Sequence, residues 1–261
     1  MRLPERIVCL TEETTEFLYL LGESHRIVGI SAYTVRPPHA KTEKPVVSAF
    51  IGGSVSKIVA LKPDLVLGFS DVQADYAGSL IRANLPVFIF NQRTLTEILE
   101  AMLLLGHMVG AGDKASSLVS SWKNALVEAR VRAKQRGKRP KVYFEEWDEP
   151  MISGIEWVRE LIECVGGECI FPDSKGPKAE DRTVTTRDVV DAAPDIIIAS
   201  WCGKKFDEAA LRARPDFDGI PACTNNRIYE MDSGIILQPG PALFIDGIAQ
   251  LEQIIHPQQA P

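Results

Sequence analysis

The chain has 261 residues, enough for one large domain or two small ones, and its 45% hydrophobic and 25% charged residues are the balance of a soluble globular protein. A net charge of −6 argues against nucleic acid or an anionic membrane surface as a partner. No apolar run approaches the roughly 20 residues of a membrane-spanning helix, and five cysteines, an odd number, do not read as a disulfide framework.

The N-terminal stretch MRLPERIVCL has no apolar region of about 7–15 residues ahead of a small-residue cleavage site. A cytoplasmic location is expected, with a periplasmic one as the alternative if a signal has been removed. Arg6 to Leu10 reads as a first strand. Thr11 is placed to cap a helix with Glu12 and Glu13 in its first turn, Phe17, Leu18, Leu20 and Leu21 on its apolar face and Gly22 at its end. A strand at Arg26 to Ile30, a proline-bearing loop at Ser31 to Lys44, and a short strand at Val46–Val47 follow. Ser54 or Ser56 caps the helix that leads to Leu61. Strand Leu65 to Gly68, helix Val72 to Asn84 and strand Val87 to Phe90 complete a β-α-β alternation that specifies a parallel sheet.

Thr94 with Glu97 has the capping-box spacing, and Ile98, Met102, Leu105 and Met108 form an apolar stripe. Gly110-Ala-Gly-Asp breaks it, and a second, longer helix runs from Asp113 to about Gly137. The basic run Arg130 to Lys141 suits a solvated helix C-terminus. Beyond it come strand Val142 to Glu145, helix Trp157 to Val165 closed by Gly166-Gly167, strand Cys169 to Phe171, a polar loop at Asp173 to Arg182, helix Thr186 to Ala192, strand Ile196 to Ala199, helix Phe206 to Ala213, strand Arg227 to Met231, a Gly/Pro-rich loop at Asp232 to Pro241, and a closing helix Ala242 to His256.

Two stretches repeat. Ile58 to Ser70 reads IVALKPDLVLGFS and Val189 to Trp201 reads VVDAAPDIIIASW. In each, a helix end meets x-Pro-Asp, where proline stops the helix and aspartate favours a turn. The short apolar run that follows fits a central parallel strand covered on both faces. The repeat predicts an α/β chain of two Rossmann-like lobes with parallel sheets, at 1–93 and 141–261, joined through a helical linker at 94–140 that contains one long bridging helix. Ligand is expected in the cleft between the lobes, where strand carboxyl ends open into a crevice.

The segments RIVCL, VGISAYTVRPP, IVALKPDLVLG, LIECVGGECIF and APDIIIA, spread over nearly the whole chain, resemble the class III periplasmic-type substrate-binding proteins, the cobalamin-, haem- and iron-siderophore-binding family of ABC importers. SAYTVRPP followed by SAFIGG looks most like the cobalamin-binding branch, in which the counterparts of Tyr33 and Phe50 line the corrinoid site. The resemblance implies a corrinoid-binding protein that needs no resident cofactor, cobalamin being the ligand, with haem or a ferric siderophore as alternatives. Members that dock on a permease carry an exposed Glu on each lobe. Here those positions fall near Ser56 and Arg187, so a charge-assisted contact to permease arginines is lost at one and reversed at the other, which fits a cytoplasmic relative of the importer proteins.

The ligand-lining candidates lie in loops after strands: Tyr33, Phe50, Phe69, Ser70, Glu145, Trp147, Trp201, Cys202, Lys204 and Gln238. Aromatic rings can stack on a flat macrocycle, and Lys204 can meet carboxylate or amide oxygens. Cys202 is open to three readings: soft metal ligand, reactive thiol or packed small residue. No Cys-x-x-Cys or His-x-x-x-His spacing marks a standing metal site, and no nucleophile-elbow or phosphate-loop motif is present, so neither catalytic nor metal residues are assigned. The rival class is an enzyme that processes a bound chelate with Cys202 or the acids near Glu145.

Overall fold

A computed structural model describes residues 3–172, 176 and 178–257. In chain order the elements are β1 (Ile7–Cys9), α1 (Glu12–Leu21), β2 (Ile27–Ser31), α2 (Ala40–Glu43), β3 (Val46–Ser48), α3 (Val55–Ala60), β4 (Leu65–Phe69), α4 (Ala74–Arg82), β5 (Val87–Phe90), α5 (Leu95–Met108), α6 (Gly112–Arg136), β6 (Lys141–Asp148), β7 (Met151–Ser153), α7 (Glu156–Cys164), β8 (Glu168–Cys169), α8 (Thr186–Ala192), β9 (Ile196–Ala199), α9 (Glu208–Arg212), α10 (Pro221–Thr224), β10 (Ile228–Glu230), α11 (Ser233–Ile236) and α12 (Ile248–Ile255). The chain divides into two compact units. The first comprises Met1–Gln92, Thr96–Ser121 and Pro239–Pro241; the second comprises Arg93–Leu95, Trp122–Gln238 and Ala242–Pro261.

The first unit is built on a five-stranded sheet of order β3-β2-β1-β4-β5 in which every pairing is parallel. The chain moves outward from β1 through β2 to β3, then restarts beside β1 with β4. The carboxyl ends of β1 and β4 therefore flank a topological switch point, the place where open α/β sheets bind ligands. Val8, Leu10, Ile58, Val66 and Leu80 pack into a core over this sheet, each such side chain contributing about 1.5–3 kcal/mol by leaving water. Every residue of β4 is buried, as its unbroken apolar run requires.

The second unit repeats the plan. Its sheet runs β10-β9-β6-β7, with β8 also paired to β6. Here β6 and β9 flank the switch point, and β9 is buried along its whole length. Tyr143, Val189, Ile197, Leu211, Phe217 and Ile220 form its core. This sheet is not wholly parallel: β7 runs antiparallel to β6 across the Glu149-Pro150 turn. The strand is only three residues long, Met151-Ile152-Ser153, too short to stand out in the sequence.

The repeated x-Pro-Asp has a concrete role. Asp64, before β4, accepts hydrogen bonds from the backbone N–H of Glu5 (2.9 Å) and Arg6 (2.8 Å), while its own N–H donates to Arg6 O. Asp195, before β9, accepts from Lys141 N (2.8 Å) and donates its N–H to Lys141 O. Each aspartate thus fastens the entry of the neighbouring strand, β1 or β6, beside the strand it precedes. Lys62 and Ala193, just before the prolines, both take φ of 48°, which reverses the chain out of the helix.

The helix α6 has 25 residues, about 37 Å, and passes from the first unit into the second. Ala115, Val119, Trp122, Leu126 and Ala129 are its buried stripe, spaced by three and four residues. Its basic end is held by Glu252 of α12, which accepts from Arg132 (2.9 Å) and Arg136 (3.4 Å). The closing helix begins as a π segment at Leu243–Gly247. The loops expected at Ser31 to Lys44 and Asp232 to Pro241 contain the single-turn helices α2 and α11. Of the strand expected at Cys169 to Phe171, only Cys169 pairs, together with Glu168. Positions 173–175 and 177 of the expected polar loop lie outside the described residues. The loop's end, Arg182, is buried and donates to Glu146 (2.6 Å) and Ser153 O (2.5 Å).

Candidate functional site

In the first unit, the carboxyl end of β1 runs into α1 through Thr11. Thr11 occupies the N-cap position, but its hydroxyl donates to Glu13 Oε1 (2.6 Å) instead of capping the helix. Glu12 and Glu13 occupy the first helical turn as expected, and with Glu16 they are buried. Two of them anchor the loop after β2: Glu12 accepts from Val35 N (3.3 Å) and Glu16 from Arg36 Nε (2.7 Å). Burial raises the Glu13 carboxyl to about 7, against the pull of its hydrogen bond from Thr11. Gly240 lies so close that a Cβ there would stand 2.4 Å from Glu13 Cβ, and the adjacent Pro239 carbonyl accepts from Gln92 Nε2 (3.2 Å).

The anchored loop presents Tyr33, 49% exposed, with its backbone N–H held by Ser31 Oγ (3.2 Å). Phe50, half-buried, is fixed through its carbonyl by Gln73 Nε2 (2.5 Å), and Gln73 Oε1 accepts from Phe69 N (3.0 Å). Phe69 and Ser70, expected to line the site, are themselves buried. Ser70 has φ 76° and ψ 154°, a region normally reserved for glycine. Its hydroxyl donates to Asp71 Oδ1 (2.9 Å) and accepts from Val72 N (3.3 Å), holding the sharp exit from β4 at the switch point.

In the second unit, Glu145, Trp147, Trp201 and Lys204 come together at the ends of β6 and β9. Glu145 is 0% exposed and belongs to a buried network instead of an open wall. Oε1 accepts from Trp201 Nε1 (3.0 Å) and Arg214 Nη2 (3.0 Å), and Oε2 from Arg214 Nη1 (2.5 Å) and Tyr143 OH (3.0 Å). Burial lowers the Arg214 pKa, and the pairing with Glu145 more than offsets it, so the net shift is upward. Burial, reinforced by the Glu145 charge, pushes the Tyr143 phenol well up. Phe206 meets Trp201 edge-on at 5.1 Å. The indole is therefore fixed from its nitrogen and from its flank.

Lys204 Nζ lies 4.9 Å from the Trp201 ring centre, 5.6 Å from that of Trp147, and 2.5 Å from Asp148 Oδ2. Trp147 Nε1 donates to Glu149 O (2.9 Å). Beside this group opens a pocket of about 520 Å³, lined by Trp201, Gly203, Lys204, Glu230, Met231, Asp232 and Ser233. Cys202 is exposed at its rim residues' turn, and Gln238 is half-buried beyond α11. Arg214 and Glu230 escaped the sequence reading. Arg214 follows α9 in no motif, and only the fold brings it onto Glu145, which lies 69 positions earlier. Among the described residues, no group of three or more His, Cys, Asp or Glu side chains is placed to hold a metal, and no helix is long and apolar enough to cross a membrane.

The family described as Periplasmic binding protein matches residues 7–234. The curated relatives include an uncharacterized ABC transporter substrate-binding lipoprotein, YvrC, of Bacillus subtilis, 27% identical over 97% of this chain and 81% of its own. The Vitamin B12-binding protein of Vibrio parahaemolyticus is 22% identical over 91% of this chain and 84% of its own. Among solved structures, a periplasmic heme binding protein from Pseudomonas aeruginosa superposes with a TM-score of 0.85 at 16% identity, covering 99% of this chain and 95% of that one.

Proposed function

The chain belongs to the periplasmic binding protein family, and we propose that within it the chain binds a corrinoid, a cobalamin-like ligand, at its strand-end loops. The observation that carries this reading is the Trp201 ring, fixed by Glu145 and Phe206 at the wall of a 520 Å³ pocket. A rigid aromatic plate at a switch point suits a large, flat ligand with an apolar face. The exposed Tyr33 ring, on a loop anchored by Glu12 and Glu16, is the corresponding feature of the first unit. Corrinoid is preferred over haem because curated relatives that match most of this chain are named Vitamin B12-binding proteins.

Binding needs no resident cofactor in this proposal. It also assigns a cytoplasmic location, with ligand delivered to a soluble acceptor. Ser56 is an exposed hydroxyl, and Arg187 is exposed and paired to Asp191 (2.8 Å), so neither offers an acid to a permease arginine.

The test is a spectroscopic titration with cyano- and hydroxocobalamin, with haemin as comparator. Saturable binding of either corrinoid at micromolar concentration, with a shifted visible spectrum, is the expected result. Binding of haemin alone would move the assignment to haem, and binding of neither would remove tetrapyrroles and leave a ferric siderophore. Cys202→Ala separates a binder from an enzyme: a binder keeps its affinity within a few-fold, whereas an enzyme using this thiol keeps binding and loses turnover.

A further inference from the structure

The pocket beside Trp201 carries an unbalanced charge. Glu230 and Asp232 contribute carboxylates to its wall, and Asp148 stands behind Lys204. Glu230 accepts from Phe206 N (3.4 Å) and Asp232 from Gly234 N (2.7 Å), so backbone N–H groups hold both in place without neutralising them. Asp148 Oδ2 takes the Lys204 ammonium, while Oδ1, buried, makes no hydrogen bond to any described residue. Among the described lining residues the one cation is Lys204, and behind it Arg214, already paired to Glu145, also feels the Asp148 charge. That cation sits over two indole rings, within the range in which a ring face attracts positive charge.

We propose that this pocket is a cation subsite, held here by the chain's own Lys204 ammonium, which a ligand's ammonium or quaternary ammonium group displaces. Trp201 and Trp147 supply the ring faces, Asp148 the counter-charge, and Glu230 and Asp232 the field that draws a cation in. Three features make the cage more than a surface ion pair. Trp201 is only 4% exposed and is locked by Glu145 and Phe206, so its ring keeps its place when Lys204 leaves it. Lys204 is on an exposed turn after β9, with its side chain 47% exposed, so it can swing out without disturbing the sheet. The adjoining pocket has room for a trimethylammonium head several times over. A quaternary ammonium is more weakly hydrated than the lysine it replaces and loses less on leaving water. The subsite shares Trp201 and this pocket with the corrinoid reading but specifies the charge the pocket accepts and not the macrocycle, so it is tested without a corrinoid.

Choline and its neutral isostere 3,3-dimethylbutan-1-ol are the probes, measured by isothermal titration calorimetry on the full chain. Lys204→Met keeps the stem and empties the cage. The variant is expected to bind choline about tenfold more tightly than the parent does, and about tenfold more tightly than it binds the isostere. Asp148→Asn on that background is expected to cut the preference several-fold, the ring faces and the Glu230 and Asp232 field remaining. Equal binding of choline and isostere by Lys204→Met overturns the proposal. So does the opposite polarity: succinate binding to the parent chain but not to Lys204→Met would make Lys204 a hook for a ligand carboxylate. Lys204→Gln carries the same test if the methionine variant does not fold. Neither result depends on the cobalamin titration, so the two readings fail separately.

Discussion

Replacing Arg214 by methionine tests what holds the aromatic plate. The change keeps most of the apolar stem and deletes the guanidinium that makes two hydrogen bonds to Glu145. Glu145 is fully buried and Arg214 has only 14% of its side chain exposed, so water cannot replace the lost partner. At a charge separation of about 4 Å and an effective dielectric constant near 20, the attraction is about 4 kcal/mol. Stranding one member of a buried pair costs about 3–5 kcal/mol in measured cases. The two figures agree, so Arg214→Met should lose about 3–4 kcal/mol, a large share of the roughly 5–15 kcal/mol that holds a domain together. Glu145→Gln combined with Arg214→Met should cost clearly less than Arg214→Met alone, because no charge is left stranded and the amide oxygen still accepts from Trp201 or Tyr143. Urea unfolding followed by circular dichroism and tryptophan emission measures both. A loss under about 1 kcal/mol for Arg214→Met, or a double variant as costly as the two single changes added, would refute the account of Glu145 as a buried structural anion.

Three further outcomes follow from the other anchors. The Glu13 carboxyl has a folded-state pKa raised from 4.5 to about 7. Its neutral form is thus favoured by folding, and the stability it contributes is fully present below about 4.5 and lost as pH rises through 7, a swing of about 3 kcal/mol. Glu13→Gln should flatten that part of the stability–pH profile and leave the variant the more stable chain at pH 8; a parallel profile for variant and parent would count against the buried carboxyl. Asp64→Ala should cost about 1–2 kcal/mol and Asp195→Ala about 1 kcal/mol, in that order, because Asp64 holds the N–H of two residues and Asp195 of one; equal or negligible losses in urea would deny the fastening role. In a thiol titration of the folded chain Cys202 should react first, since it is exposed while burial pushes Cys9 and Cys169 up to about 12; a burst that survives Cys202→Ser would place the reactive thiol elsewhere.

Much of the scaffold was legible because it is written in short-range chemistry. The x-Pro-Asp pair, the unbroken runs of β4 and β9, and the Gly22 helix end are local signals that need no partner to interpret. What escaped depends on distance. Glu145 looks like one of four acids on a strand end, and nothing nearby reveals Arg214. Glu12 and Glu16 look like dipole-friendly surface acids, and only the return of the loop at Val35 and Arg36 buries them. Trp201 and Lys204 were legible as residue types at a strand end. Their mutual geometry was not, because it is set by a buried network assembled from β6, β9 and the segment after α9.

The two units share a backbone plan and divide the chemistry. In both, an aspartate fastens the entry of the inner strand and a positive-φ residue turns the chain before it. At the switch points they diverge. The first unit places buried glutamates behind a loop that exposes a phenol. The second places a buried ion pair behind an indole at the wall of a pocket lined by Glu230 and Asp232. In the second unit the buried carboxylate holds the ring itself, and in the first the glutamates hold the loop at Val35 and Arg36. The divergence puts the chemical difference between the two units in the strand-end loops and not in the sheets.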